Sequence, residues 1–116
     1  MSTQTGSCHC GKVRFEVRGE LPPPIACNCS MCGRSGTLLS FVADDAFTLL
    51  AGEGALVDYE FNKHVIHHTF CGTCGIKPFA RGAKPDGTRM VAVNMRCLDG
   101  IDVHTVEATK FSGKDL

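Results

Sequence analysis

No stretch of the sequence approaches the roughly 18 consecutive apolar residues of a membrane-spanning helix, so that class of membrane protein is not expected. Net charge is absent too: 12 Lys and Arg offset 12 Asp and Glu, and no basic run exceeds two residues. A nucleic-acid partner is therefore not expected either. The first residues, Met1 to Gly6, carry neither a basic region nor an apolar stretch. No secretory leader is expected from them, and the expected compartment is the reducing cytoplasm. Helical periodicity is missing, since no i, i+3, i+4, i+7 pattern lasts three turns. There is no internal repeat and no low-complexity segment, and nothing specifies an oligomeric state. What remains is a globular composition, 43% hydrophobic and 21% charged over 116 residues, which is one domain's worth.

The period that is present is two. Val13 to Arg18 alternates apolar and charged residues without a fault, and Val57 to Phe61 does the same. Both read as strands with one buried and one wet face. Leu38 to Ala43, Phe47 to Ala51 and Val65 to Phe70 are further strand candidates, with a short last one at Val103 to Val106. Met90 to Asn94 is a continuous apolar run of strand length, as expected of a strand buried on both faces. Gly52, Gly54, Asp86-Gly87 and Asp99-Gly100 punctuate these runs as turns. One short helical turn is expected near Ser30 to Ser35. Pro22-Pro23-Pro24 marks an extended connection, and Ser112 to Leu116 reads as a loose tail. The expected fold class is mainly β and antiparallel.

Cysteine is the outlier, with eight residues: Cys8 and Cys10, then Cys27, Cys29 and Cys32, then Cys71 and Cys74, and Cys97 alone. In a reducing compartment clustered cysteines point to metal rather than to disulfides. Close pairs such as Cys8 and Cys10, if on a strand, point the same way, which suits one shared ion better than an S–S bond. Zinc takes four thiolates in a tetrahedron, usually two from each of two tight turns. Cys8-x-Cys10-Gly11 and Cys71-x-x-Cys74-Gly75 supply such a set, each closed by Gly. Cys27, Cys29 and Cys32 make three ligands, one short of a tetrahedron. The fourth place is open for water or substrate, as in a catalytic zinc, or Cys97 or one of His9, His64, His67, His68 and His104 closes it, or the trio holds no metal. Cys97 reads either as a small buried apolar residue or as a reactive thiol beside the second ion. Seven thiolates on two zinc ions make the loaded domain mildly acidic.

Gly6-Ser7-Cys8-x-Cys10-Gly11-x-Val13-x-Phe15, Cys27-x-Cys29-Ser30-x-Cys32, Phe70-Cys71-x-x-Cys74-Gly75 and Val93-Asn94 with Leu98-Asp99 occur in this order. In order and spacing the set resembles the glutathione-dependent formaldehyde-activating enzyme family, which includes centromere protein V. The resemblance runs from about Gly6 to Val106, the core of a single domain over residues 1–116. It implies a zinc-bearing β-tent fold of packed antiparallel sheets. It implies a structural zinc on Cys8, Cys10, Cys71 and Cys74, and a second zinc on Cys27, Cys29 and Cys32 that meets a thiol. The implied activity is that of a carbon–sulfur lyase joining glutathione, or a similar small thiol, to formaldehyde or another small aldehyde. The alternative is a non-catalytic zinc module that binds a protein partner or carries glutathione. The chain resembles the short branch of the family, without the extra segments of the longer formaldehyde enzymes.

An addition of thiol to aldehyde needs a proton donor, for which His64, His67 and His68 are candidates; the alternative is a polar strand face. If all three lie on one strand, His64 and His68 share a face and His67 takes the other. Glutathione is net negative, so basic groups are expected around it: Arg34 first, then Arg81 and Arg96, all three otherwise ordinary surface charge. Asn94 is either a strand-end polar residue or a substrate contact.

Overall fold

Val13, Phe15 and Val17 are fully buried while Arg14 and Arg18 are exposed, so the alternation in sequence becomes the two faces of one strand. The structure, a computed structural model, describes residues 3–60 and 66–112. In chain order the strands are β1 (Thr3–Ser7), β2 (Arg14–Arg18), β3 (Ile25–Cys27), β4 (Leu39–Ala43), β5 (Phe47–Ala51) and β6 (Leu56–Tyr59). They continue with β7 (His67–Cys71), β8 (Phe79–Ala83), β9 (Arg89–Asn94) and β10 (Thr109–Phe111), and one helix, α1 (Ser30–Ser35), lies between β3 and β4. A three-stranded sheet has the order β1-β2-β5, and a seven-stranded sheet the order β10-β3-β4-β9-β8-β7-β6. The described pairings are antiparallel except β3 with β10, which is parallel. The fold is mainly β, as expected.

The sheets meet through aromatic rings. Phe15 of β2, Phe47 of β5 and Phe79 of β8 form a triangle with centroids 5.4, 4.6 and 6.3 Å apart. Val42, Val91 and Val93 join the buried cluster from β4 and β9. Register fixes the faces of the large sheet. Val93 pairs with Phe79 and Ser40, and Val91 with Arg81 and Val42, so these side chains point inward. Ala80 pairs with His68 and Ala92, so those three point outward.

Six sequence-based strands and the helix near Ser30 to Ser35 have counterparts. Val103 to Val106 does not: Val103–Thr105 is a 3₁₀ turn. The Asp102 carboxylate accepts the N–H of His104 at 3.0 Å and its carbonyl accepts that of Thr105 at 3.0 Å, a turn that outcompetes extended backbone. Strands β1, β3, β8 and β10 have no period-two signal. Phe61, His64, Val65 and 113–116 lie outside the described residues.

Candidate metal centres and the adjoining cleft

The first cluster is made by two tight turns at the ends of strands from different sheets. Cys8 follows β1, and the turn closes with the Gly11 N–H on the Cys8 carbonyl at 3.3 Å. The Cys8-x-Cys10 segment is thus a turn rather than the strand pair that the sequence suggested. Cys71 ends β7, and the Gly75 N–H bonds its carbonyl at 2.8 Å. Gly11 and Gly75 have φ of 82° and 80°, a left-handed conformation that glycine adopts without a Cβ penalty. Each turn therefore curls so that its two sulfurs converge. The sulfurs of Cys8 and Cys10 are 3.6 Å apart, and those of Cys10 and Cys71 are 3.7 Å apart. A tetrahedron with Zn–S bonds of about 2.3 Å has edges of about 3.8 Å. The donor set and spacing fit a four-thiolate zinc. Because Cys8 follows a strand of the small sheet and Cys71 ends one of the large sheet, such an ion clips the two together.

Electrostatics points the same way. The backbone N–H groups of Cys10 and Ile76 hold the Cys74 thiol down to about 6. Cys10 is pushed up to about 11: the Lys12 N–H opposes the rise, but desolvation and the thiols of Cys8, Cys71 and Cys74 outweigh it. Four sulfurs this close cannot all ionise without a cation between them.

The second cluster spans a strand end and a helix start. Cys27 ends β3, Cys29 is the N-cap of α1, and Cys32 lies in its first turn. The Cys29 sulfur accepts the Cys32 N–H at 3.3 Å, and the Cys27 sulfur accepts the Cys29 N–H at 3.4 Å. The three sulfurs lie within 4.8 Å of one another. Among the described residues no further cysteine, histidine or carboxylate joins them at that distance. Burial pushes the Cys29 thiol up, but the Cys32 N–H and the neighbouring thiols outweigh it and hold it below its ordinary value. Cys32 is pushed up to about 12 by burial and by Cys29 and Cys27. Three sulfurs held this close suit a shared cation.

The other candidates are placed as follows. Arg34 donates to the Ser30 carbonyl at 3.0 Å and lines a hollow with Tyr59. Arg81 pairs with Asp44 at 3.1 Å and lies 5.2 Å from the centroids of both Phe47 and Phe79. Strand alternation puts its side chain on the inner face, opposite to Ala80, which borders Cys32. The Asn94 amide is engaged throughout: its oxygen accepts from the N–H of Leu38 at 3.3 Å and of Arg96 at 3.2 Å, and its nitrogen donates to the Lys77 carbonyl at 2.9 Å. It therefore orients backbone. Cys97 sits near the first cluster, where burial, then the charges of Cys8 and Cys74, push it up to about 11. Its sulfur lies 3.6 Å from the Asn94 amide nitrogen, and a thiol held protonated is a weak nucleophile. His67 faces inward onto Asp58 and Glu60, at 2.6 and 2.9 Å, while the buried His68 points outward.

Sequence reasoning missed Lys77. It lies in Ile76-Lys77-Pro78-Phe79, a lone charge in an apolar run, and that isolation was its signal. It is half-buried, and it borders a small pocket together with Cys32, Thr37, Leu39 and His68. Burial lowers its pKa, against the opposing pull of Cys32 and Cys29. Its Nζ lies 3.4 Å from Nδ1 of His68. A cleft of about 610 Å³ runs from Cys8 past Cys97, Asn94 and Arg96 to Lys77 and Thr37, so it joins the surroundings of the two clusters.

Among the described residues no helix is long and apolar enough to cross a membrane. The fold is similar to the crystal structure of a Rhodobacter sphaeroides protein, at 28% identity and a TM-score of 0.80, covering 92% of this chain and 99% of that one. The family model described as "Glutathione-dependent formaldehyde-activating enzyme" matches residues 3–112, all seven clustered cysteines included. The chain belongs to the glutathione-dependent formaldehyde-activating enzyme family.

Proposed function

We propose that the protein is a zinc-dependent carbon–sulfur lyase that adds a small thiol, glutathione or a similar one, to formaldehyde or another small aldehyde. The observation that carries this reading is the convergence of Cys27, Cys29 and Cys32 without a fourth described ligand. Cys8, Cys10, Cys71 and Cys74 hold a structural zinc in this reading. Zinc held by the trio would keep a substrate thiol in its thiolate form at neutral pH, and the thiolate is the nucleophile.

The chain's own residues do the rest. The Cys29 cap and the β3 end hold the three sulfurs in place before any ligand arrives. The cleft past Asn94 and Arg96 gives a thiol-bearing molecule a path that ends near Thr37 and Lys77. The chemistry is an addition: a C–S bond forms, the carbonyl π pair moves to oxygen, and the proton lost by the thiol is matched by one gained at that oxygen. The product is a hemithioacetal, and nothing is oxidised or reduced.

The test is exchange-spectroscopy NMR on glutathione and formaldehyde, with and without protein of confirmed two-zinc stoichiometry. The expected result is faster interconversion of glutathione and its hydroxymethyl adduct, lost in Cys29→Ser. No acceleration by the two-zinc protein would reject this substrate pair and favour the zinc-binding interaction module.

A further inference from the structure

We propose that Lys77 is a catalytic residue of this site, its ammonium hydrogen-bonding the aldehyde oxygen that takes up negative charge as the thiol sulfur adds to the carbonyl carbon. This rests on the reading of the three-cysteine site as a thiol–aldehyde lyase. Four observations lead there.

The first is place. Among the described residues, Lys77 and His68 are the basic side chains bordering the pocket that Cys32 opens into. Arg34 and Arg81 are engaged elsewhere, by Ser30 and by Asp44.

The second is size. The pocket has a volume of about 10 Å³, the room one water molecule takes. That accommodates a carbonyl oxygen and little more. The organic part of either reactant must lie outside it, in the cleft or over the outer face.

The third is fixation. The Lys77 carbonyl accepts from Asn94 Nδ2 at 2.9 Å, and the next carbonyl, that of Pro78, accepts from the Asn94 N–H at 3.0 Å. One asparagine thus clamps two successive peptide groups and fixes where the lysine side chain starts. At the far end His68 Nδ1 lies 3.4 Å from Nζ. An ammonium only donates, so Nδ1 accepts and the neutral ring carries its proton on Nε2. That contact engages one of the three donors of Lys77.

The fourth is charge. Three thiolates on a divalent cation leave a net charge of −1, and a thiolate substrate adds another. An alkoxide forming beside them needs a nearby positive group, and in a half-buried pocket a pre-placed ammonium is worth more than in water. Lys77 supplies it without reorganisation, because burial and two hydrogen-bonded ends already hold it. The alkoxide then takes its proton from solvent, and Lys77 keeps its own.

The test compares wild type, Lys77→Met and Lys77→Arg, each at confirmed two-zinc stoichiometry. Two quantities are read: the NMR exchange rate with glutathione and formaldehyde, and glutathione affinity by calorimetry without aldehyde. Methionine keeps the length of the side chain, and the amide NMR spectrum reports that the fold is intact. The expected result is an exchange enhancement lowered about 10²–10³-fold in Lys77→Met, the usual loss for one oxyanion donor. Glutathione affinity should change less than threefold, and Lys77→Arg should recover part of the rate. An unchanged rate in Lys77→Met overturns the proposal and leaves the lyase reading standing. Equal losses of rate and affinity overturn it too, since Lys77 would then be a thiol-binding group. No enhancement by wild type refutes the glutathione–formaldehyde reading of the site, and this proposal with it.

Discussion

Replacing Cys71 with Ser should unfold the domain, and the structure indicates by how much. A chain of 116 residues has a total stability of about 6–17 kcal/mol at the usual value per residue. A structural zinc in a small domain contributes about 10–16 kcal/mol at neutral pH. An ion there would thus match the whole net stability of the domain. The four sulfurs lie at nearly the edge length of a zinc tetrahedron, with 3.6 and 3.7 Å between neighbours, so little of that free energy goes into distortion. Cys71 is fully buried and its cluster joins the two sheets, so the loss falls on the packing that holds them together. Serine keeps the size and the turn backbone, but its hydroxyl does not ionise in this range, so the missing quantity is the thiolate. The assay is urea unfolding followed by amide NMR, with zinc content measured on the same samples. Cys29→Ser is the control. Serine is a better N-cap than most residues, so α1 should persist, one zinc should be lost and the domain should stay folded. A folded Cys71→Ser protein with two zinc ions and an unchanged midpoint would refute the structural assignment. An unfolded Cys29→Ser would refute the division of labour between the clusters.

Other outcomes are expected from the same structure. Phe79→Ala removes the ring that touches both Phe15 and Phe47, and it should cost about 3–5 kcal/mol in denaturant titration. Asn94→Ala leaves the Lys77 carbonyl and the N–H groups of Leu38 and Arg96 without their partner, at about 1–3 kcal/mol for each group left buried and unpaired. The His67 pKa is raised by its hydrogen bond to Asp58, so an NMR titration should find it above the ordinary imidazole value and Asp58→Asn should bring it back. The folded pKa lies above the unfolded one, so this pair's contribution is fully present below about pH 6.5 and is lost as pH rises through the folded value. The stability gap between wild type and Asp58→Asn should therefore shrink with rising pH. With both side chains 46% exposed, it should be small throughout.

Two features of the chain were decided by its sequence. Cysteine spacing grouped the ligands, because Cys-x-Cys-Gly and Cys-x-x-Cys-Gly each need only a local turn to bring two sulfurs together. Alternation fixed strands such as Arg14–Arg18, because a strand half in water records its two faces in every second residue. Other elements left no such record. Thr3–Ser7 is largely polar, Ile25–Cys27 and Thr109–Phe111 have three residues each, and Phe79–Ala83 mixes small residues with an arginine. These are strands because a partner edge is there to satisfy their backbone groups, and that edge comes from distant sequence. The site divides in the same way. Arg81 has the right charge for a substrate contact, but strand parity turns it inward onto Asp44 and two aromatic rings. Asn94 has the right polarity, but its amide bonds the backbone of Leu38, Lys77 and Arg96. Lys77 gave little signal in one dimension, and it stands beside Cys32 because Asn94, 17 residues later on the neighbouring strand β9, holds its carbonyl. Ligand identity is a local property of the chain. Which charges face the ligands depends on pairing across sheets, and that is settled only when the chain has folded.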